Sequence, residues 1–190
     1  MRKLILFSIL FLGLAEFGYG AWIPAKAWLS QVLLAHAWEQ SLENGQPHKP
    51  WPWADTWPVM KLAHSQSDTQ LLVLHGDSGQ AMAFGPGLTN ASIMPGKPGN
   101  TIISAHRDTH FSFLETVKLG ETLSIENHAG IKHQYSITAL QIADSRASQI
   151  QINTDDDRLT LVTCYPFNQL TPGGDLRYVV TAQKQPETHI

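Results

Sequence analysis

The strongest constraint on the fold lies between residues 59 and 182, where short apolar or alternating runs recur at close spacing. They fall at 59–62, 71–74, 81–84, 101–105, 122–126, 134–143, 149–152, 158–163 and 176–182. Turn chemistry separates them: Gly76-Asp77-Ser78-Gly79, Pro95-Gly96-Lys97-Pro98-Gly99-Asn100, residues 127–130, residues 155–157 and Pro172-Gly173-Gly174-Asp175. Glycine supplies positive φ, proline presets a turn, and Asn and Asp bond their own backbone, so each cluster ends a strand. Many short strands predict an all-β domain, either a barrel or a sandwich. The chain shows no internal repeat, no nucleotide-type glycine loop and no second domain.

The N-terminus has a different pattern. Arg2 and Lys3 precede an apolar run at 4–15, which Glu16 interrupts. A basic start followed by an apolar stretch predicts a signal peptide or signal anchor over residues 1–23. Gly18 and Gly20 offer a cleavage site, whereas Trp22 suits the interface of an uncleaved span. Both versions place the N-terminus in the cytoplasm and the remainder outside, by the positive-inside rule. Residues 24–58 then hold a helix to about Glu43, stopped by Asn44-Gly45, and a Pro/Trp-rich stretch at 47–58. The four prolines of that stretch exclude helix and central strand, so it either packs on the barrel wall or covers a groove. The β-domain is expected over 59–183 and a polar tail over 184–190.

Composition narrows the partners. Hydrophobic residues make up 43% and charged residues 15%, which suits a packed core. Net charge is −3 and no segment concentrates Lys and Arg, so nucleic acid is not an expected partner. The one cysteine, Cys164, excludes an intrachain disulfide and any Cys-based zinc or iron–sulfur site. No cofactor is expected.

Three residues stand where strands give way to loops. RLTLVT runs into Cys164, a loop follows, and Arg177 is the second residue of LRYVVTA. If these strands form a hairpin, Cys164 and Arg177 become neighbours although thirteen positions separate them. A cation beside a thiol favours the thiolate, the reactive form. The strand TIISA leads into His106, and a cysteine with a histidine makes a nucleophile and acid/base pair for acyl transfer. Each residue alone has a structural alternative: a buried inert thiol, one of nine histidines, an arginine paired with nearby Asp175.

Taken together, these segments resemble the sortases. Residues 84–113, with AHRDTHF, are similar to the stretch carrying the sortase catalytic histidine. LTLVTC matches the TLxTC motif that ends in the sortase nucleophile, LRYVV the arginine strand, and ETLSIEN the strand after the histidine loop. The resemblance implies an eight-stranded sortase-type β-barrel, here preceded by a membrane-anchor helix and a second short helix. It implies that Cys164 attacks a C-terminal LPxTG-like sorting signal and forms a thioester, which an amine or water resolves. His106 then moves protons and Arg177 stabilises the oxyanion, with Thr163 as a further substrate contact. Asp108 either orients His106 or, with Arg107, fixes the loop. The N-terminal anchor, the WPWADTW segment and AHRDTHF look most like the proteobacterial class GN group, whose members serve few dedicated substrates, and that likeness implies a single-pass inner-membrane enzyme facing the periplasm. Ala105 departs from the glycine frequent before His-Arg in the family.

Two other readings compete. An L,D-transpeptidase acting on peptidoglycan calls for a Ser-x-Gly-Cys context, which Leu161 to Pro166 lacks. A tethered peptide-binding barrel without catalysis needs no Cys164, His106 and Arg177 together.

Overall fold

In the computed structural model, which describes residues 2–169 and 173–186, eight strands close into one barrel. The strands are β1 (Pro58–His64), β2 (Thr69–His75), β3 (Gly87–Leu88), β4 (Gly99–Ser104), β5 (Thr122–Asn127), β6 (Lys132–Asp144), β7 (Asp157–Cys164) and β8 (Leu176–Lys184). Around the barrel they run β1-β2-β3-β4-β7-β8-β6-β5. Two neighbouring pairs, β2 with β3 and β4 with β7, are parallel; the others are antiparallel. Parallel neighbours need a long crossover, and β5 and β6 supply it between β4 and β7.

Alternation along each strand decides which side chains fill the interior. In β7, Leu159, Leu161 and Thr163 are buried, while Val162 and Cys164 are only partly covered. Leu62, Val73, Ile103, Ile125, Tyr135 and Val180 belong to the same core, each at 0% exposure. Burying one such aliphatic side chain stabilises by about 1.5–3 kcal/mol. The Tyr135 hydroxyl donates to Asp157 at 2.9 Å, so its polar end is satisfied. Burial first, then the Asp157 hydrogen bond and charge, push the phenol well above the usual tyrosine range.

The sequence patterns at 81–84 and 149–152 do not become strands. Residues 79–82 form the short helix α2 (Gly79–Met82), capped by Ser78 Oγ, which accepts from the Ala81 amide at 3.2 Å. The segment before β7 is irregular, and Ile152 accepts there from the Asn100 amide at 2.8 Å. The two-residue β3 went unforeseen because GL carries no alternation. The acidic 155–157 segment is not simply a solvated turn. Asp156 pairs with Arg158 at 3.0 Å, and Asp157 accepts from the Gly96 amide and the Tyr135 hydroxyl. Burial opposes ionisation of Asp156, but bonds from Arg158, Gln183 and Thr154 outweigh it and hold that carboxyl below its ordinary range.

The single long helix α1 (Arg2–Asn44) runs on through Pro24. Its C-terminal half docks on β1 and β2 through Ser30, Leu34, Ala37, Trp38 and Ser41, which recur at helical spacing and are all buried. Gly45 ends the helix at φ +65°, the left-handed position that glycine occupies without penalty. The expectation of a membrane span over residues 1–23 is overturned. No helix among the described residues is long and apolar enough to cross a membrane. Glu16 and the glycines at 18 and 20 break the apolar run, and Pro24 and Lys26 follow it. The single-pass inner-membrane placement, with the barrel on the periplasmic side, is corrected with it. The end of the polar tail, residues 187–190, lies outside the described residues.

The Pro/Trp-rich stretch lies along the barrel wall. Trp51 meets Phe84 edge-on at 5.6 Å, and Trp57 stacks on His75 at 4.2 Å, while Trp53 remains 83% exposed.

Candidate active site

Two pairings bring the three junction residues to one end of the barrel. The β7–β8 register sets Cys164 directly opposite Arg177. The parallel β4–β7 register sets Ser104 opposite Val162, so both chains leave their strands at the same level. Two residues further along each chain stand His106 and Cys164. Hydrogen bonds continue the alignment past β4: the Ala105 amide donates to Val162 O at 3.2 Å, and Thr163 Oγ1 donates to Ala105 O at 2.7 Å.

Cys164 projects from the outer face of the sheet, because the inward positions of β7 are Leu159, Leu161 and Thr163. It is partly buried there, as is Arg177, whereas His106 is exposed. Together with Ser104, Ala105, Val162, Thr163, Asp77 and Met82 they line a groove of about 230 Å³. Thr163 differs from the other candidates: it is 2% exposed and its hydroxyl is committed to Ala105, so it ties the two strand ends together.

Arg177 Nη1 donates to Gly174 O at 2.8 Å and Leu176 O at 2.9 Å. Asp175, its nearest carboxylate in sequence, pairs instead with Arg146 at 3.3 Å. The histidine loop is held from below. Arg107 is 4% exposed and donates to Gln169 O at 2.7 Å, joining this loop to the one after Cys164. Asp108 accepts from Arg107 Nε at 3.3 Å, which favours the loop-fixing role over orientation of His106. His106 O accepts from the Phe111 amide at 3.1 Å, closing the turn. Burial, then the nearby His106, hold the His110 imidazole below the ordinary histidine range.

Asp77 and Met82 were not anticipated as groove residues. The first was read as turn chemistry and the second as part of a strand, although Ser78 three residues before Ala81 is a helix-start signal. Beyond Cys164, Tyr165 and Phe167 gather on Tyr178 at ring distances of 6.3 and 5.3 Å. Residues 170–172 of the intervening loop lie outside the described residues.

The model of the sortase domain matches residues 64–185, spanning His64 in β1 to just past β8. The chain belongs to the sortase family. That is a family of cysteine transpeptidases. Sortase D of Bacillus subtilis (strain 168) is 26% identical over 118 residues, covering 62% of this chain and 59% of that protein. The chain therefore spans less than two thirds of that relative's length. The sortase barrel superposes on a Clostridium perfringens Sortase D5 transpeptidase with a TM-score of 0.67 at 17% identity. That match covers 83% of this chain and 99% of the other. Sortase A from Corynebacterium diphtheriae gives a TM-score of 0.62 at 22% identity, covering 70% and 63% respectively. At such identities the two structures speak to the sortase fold alone.

Proposed function

We propose that this sortase cleaves a C-terminal sorting signal of the LPxTG type through a thioester on Cys164 and transfers the acyl group to an amine, or to water by default. The observation that carries the reading is the shared groove: a sulfur, an imidazole and a guanidinium from three strand ends line one open cleft on the outside of the barrel.

In this reading Cys164 Sγ attacks the scissile carbonyl and the peptide nitrogen leaves with a proton from His106. Arg177 stabilises the negative oxygen of the tetrahedral intermediate. Arg177 lines the groove, and its Nη1 bonds to Gly174 O and Leu176 O hold the guanidinium in place there. Thr163 acts indirectly, by holding Ala105 and thereby the approach to His106. An incoming amine then gives up a proton to His106 and expels the sulfur. The class GN likeness rests on the WPWADTW and AHRDTHF segments and argues for a narrow set of dedicated substrates.

The test is to incubate the protein with a mixture of C-terminal peptides of the LPxTG type and read adducts on Cys164 by mass spectrometry. An acyl fragment ending at the scissile residue is expected on the wild type, and none on Cys164→Ala. Capture by Cys164→Ala, or no capture by the wild type from any such peptide, overturns the reading.

A further inference from the structure

A second cavity, of about 310 Å³, lies beside the catalytic groove, and the two have Asp77 in common. Asp55 and Thr56 come to it from the Pro/Trp-rich stretch, His75 and Asp77 from the end of β2 and beyond, and Asn90 from the chain after β3. Among the described residues its lining contains two carboxylates and no lysine or arginine. The catalytic groove is of the other kind, with Arg177 among its walls.

The walls are held in place. Thr56 Oγ1 donates to His75 O at 2.8 Å, and the His75 amide donates to Trp57 O at 2.9 Å. The His75 ring stacks on Trp57 at 4.2 Å with the planes 14° apart. Asp77 Oδ2 accepts from Thr89 Oγ1 at 2.8 Å, which anchors that carboxylate at the boundary between the two spaces. The Pro/Trp-rich stretch therefore contributes a wall beside the groove.

We propose that this cavity is the acceptor subsite, where Asp55 and Asp77 receive the primary ammonium group of the incoming nucleophile before it meets the thioester. The proposal rests on the transpeptidase reading above and adds the entry side and the charge of the acceptor. Coulomb attraction to two carboxylates concentrates an ammonium where water alone would otherwise compete. The ammonium releases one proton to solvent as it moves past Asp77 into the groove. The neutral nitrogen then bonds to the thioester carbon, and the carbon–sulfur bond breaks with its electron pair left on Cys164 Sγ. The second proton passes from nitrogen to His106. The products are an amide and the free thiolate.

Two measurements test this. In the first, the acylated protein is offered triglycine, a charged primary amine, or hydroxylamine, uncharged at neutral pH, and the ratio of aminolysis to hydrolysis is read. That ratio is set after the thioester forms. Asp55→Asn is expected to lower it about tenfold for triglycine and leave it within about twofold for hydroxylamine. An unchanged triglycine ratio, or an equal fall for both amines, overturns the proposal. In the second, Cys164→Ala protein is titrated with triglycine amide and with its N-acetyl form while backbone amides are followed by NMR. Shifts at Thr56, Gly76 and Asn90 with the free amine only are expected, and their loss in the added Asp55→Asn variant. Equal responses to both peptides, or none, overturn the subsite. This measurement needs no acylation, so a failed transpeptidase reading and a failed subsite are told apart.

Discussion

Cys164 and Arg177 are direct partners across the β7–β8 ladder, the last residue of one strand facing the second residue of the next. Opposed residues of an antiparallel pair project from the same face, so the guanidinium is held beside the sulfur by backbone pairing. Arg177→Ala keeps that ladder and removes the cation. It is expected to lower kcat/KM on a sorting-signal peptide about 10²–10³-fold, while Cys164 still alkylates with iodoacetamide. Arg177→Lys restores the charge without the planar fork and recovers only part of the rate. A rate for Arg177→Ala within a few fold of wild type rejects the oxyanion role.

Thr163 and Ala105 are joined by a buried hydrogen bond of 2.7 Å that couples the two parallel strand ends. Thr163→Val keeps the shape and loses the donor. Urea denaturation is expected to show a loss of about 1–3 kcal/mol, the cost of removing one partner from a buried pair. Thr163→Ser keeps the donor and should recover kcat more fully than stability. The reverse order counts against the coupling.

Gly87 in β3 packs against the turn that carries Asp77. A Cβ there would overlap Gly76 O and lie 2.8 Å from the Asp77 Cα, and both are backbone atoms that cannot swing aside. Gly87→Ala is expected to cost about 1–3 kcal/mol by thermal or urea unfolding. It should also impair groove function, because Asp77 moves with the turn. Wild-type stability for this variant refutes the close approach.

His110 is expected to make stability pH-dependent. Its folded pKa lies below the ordinary value, through burial and then the nearby His106. The unfolded chain takes up a proton near pH ~6.5 that the folded chain resists, so this contribution is present above that pH and is lost as pH falls. Urea midpoints measured between about pH 7.5 and 5.5 should fall further for wild type than for His110→Gln. Parallel pH profiles rule out His110 as a source of the loss.

The strand pattern and the hairpin were readable because both depend on local chemistry. LTLVT alternates inward and outward, the loop to LRYVV is closed by glycine, and adjacent strands pair readily. The run at 81–84 misled because four apolar residues suit a strand or a helical turn equally, and the Ser78 cap decided in favour of the helix. The apolar run at 4–15 misled for a related reason. Its composition suggested a span, yet the long helix containing it does not meet the apolarity a membrane crossing requires. That Asp55 and Asp77 line one cavity was unreadable, since no local pattern relates the Pro/Trp-rich stretch to the turn after β2.

Local pattern in the sequence was enough to place most of the barrel strands, though not β3 and not the runs at 81–84 and 149–152, and to set Cys164, His106 and Arg177 each at a strand-to-loop junction. The sortase resemblance grouped His106 with the other two, but only tertiary structure brings all three to one groove. That neighbourhood depends on β4 and β7 lying parallel in register, Ser104 against Val162, across a crossover built from β5 and β6. The reason is physical: alternation and turn residues act over a few positions, whereas a parallel pairing over such a distance forms only when the barrel closes and its shared core is buried.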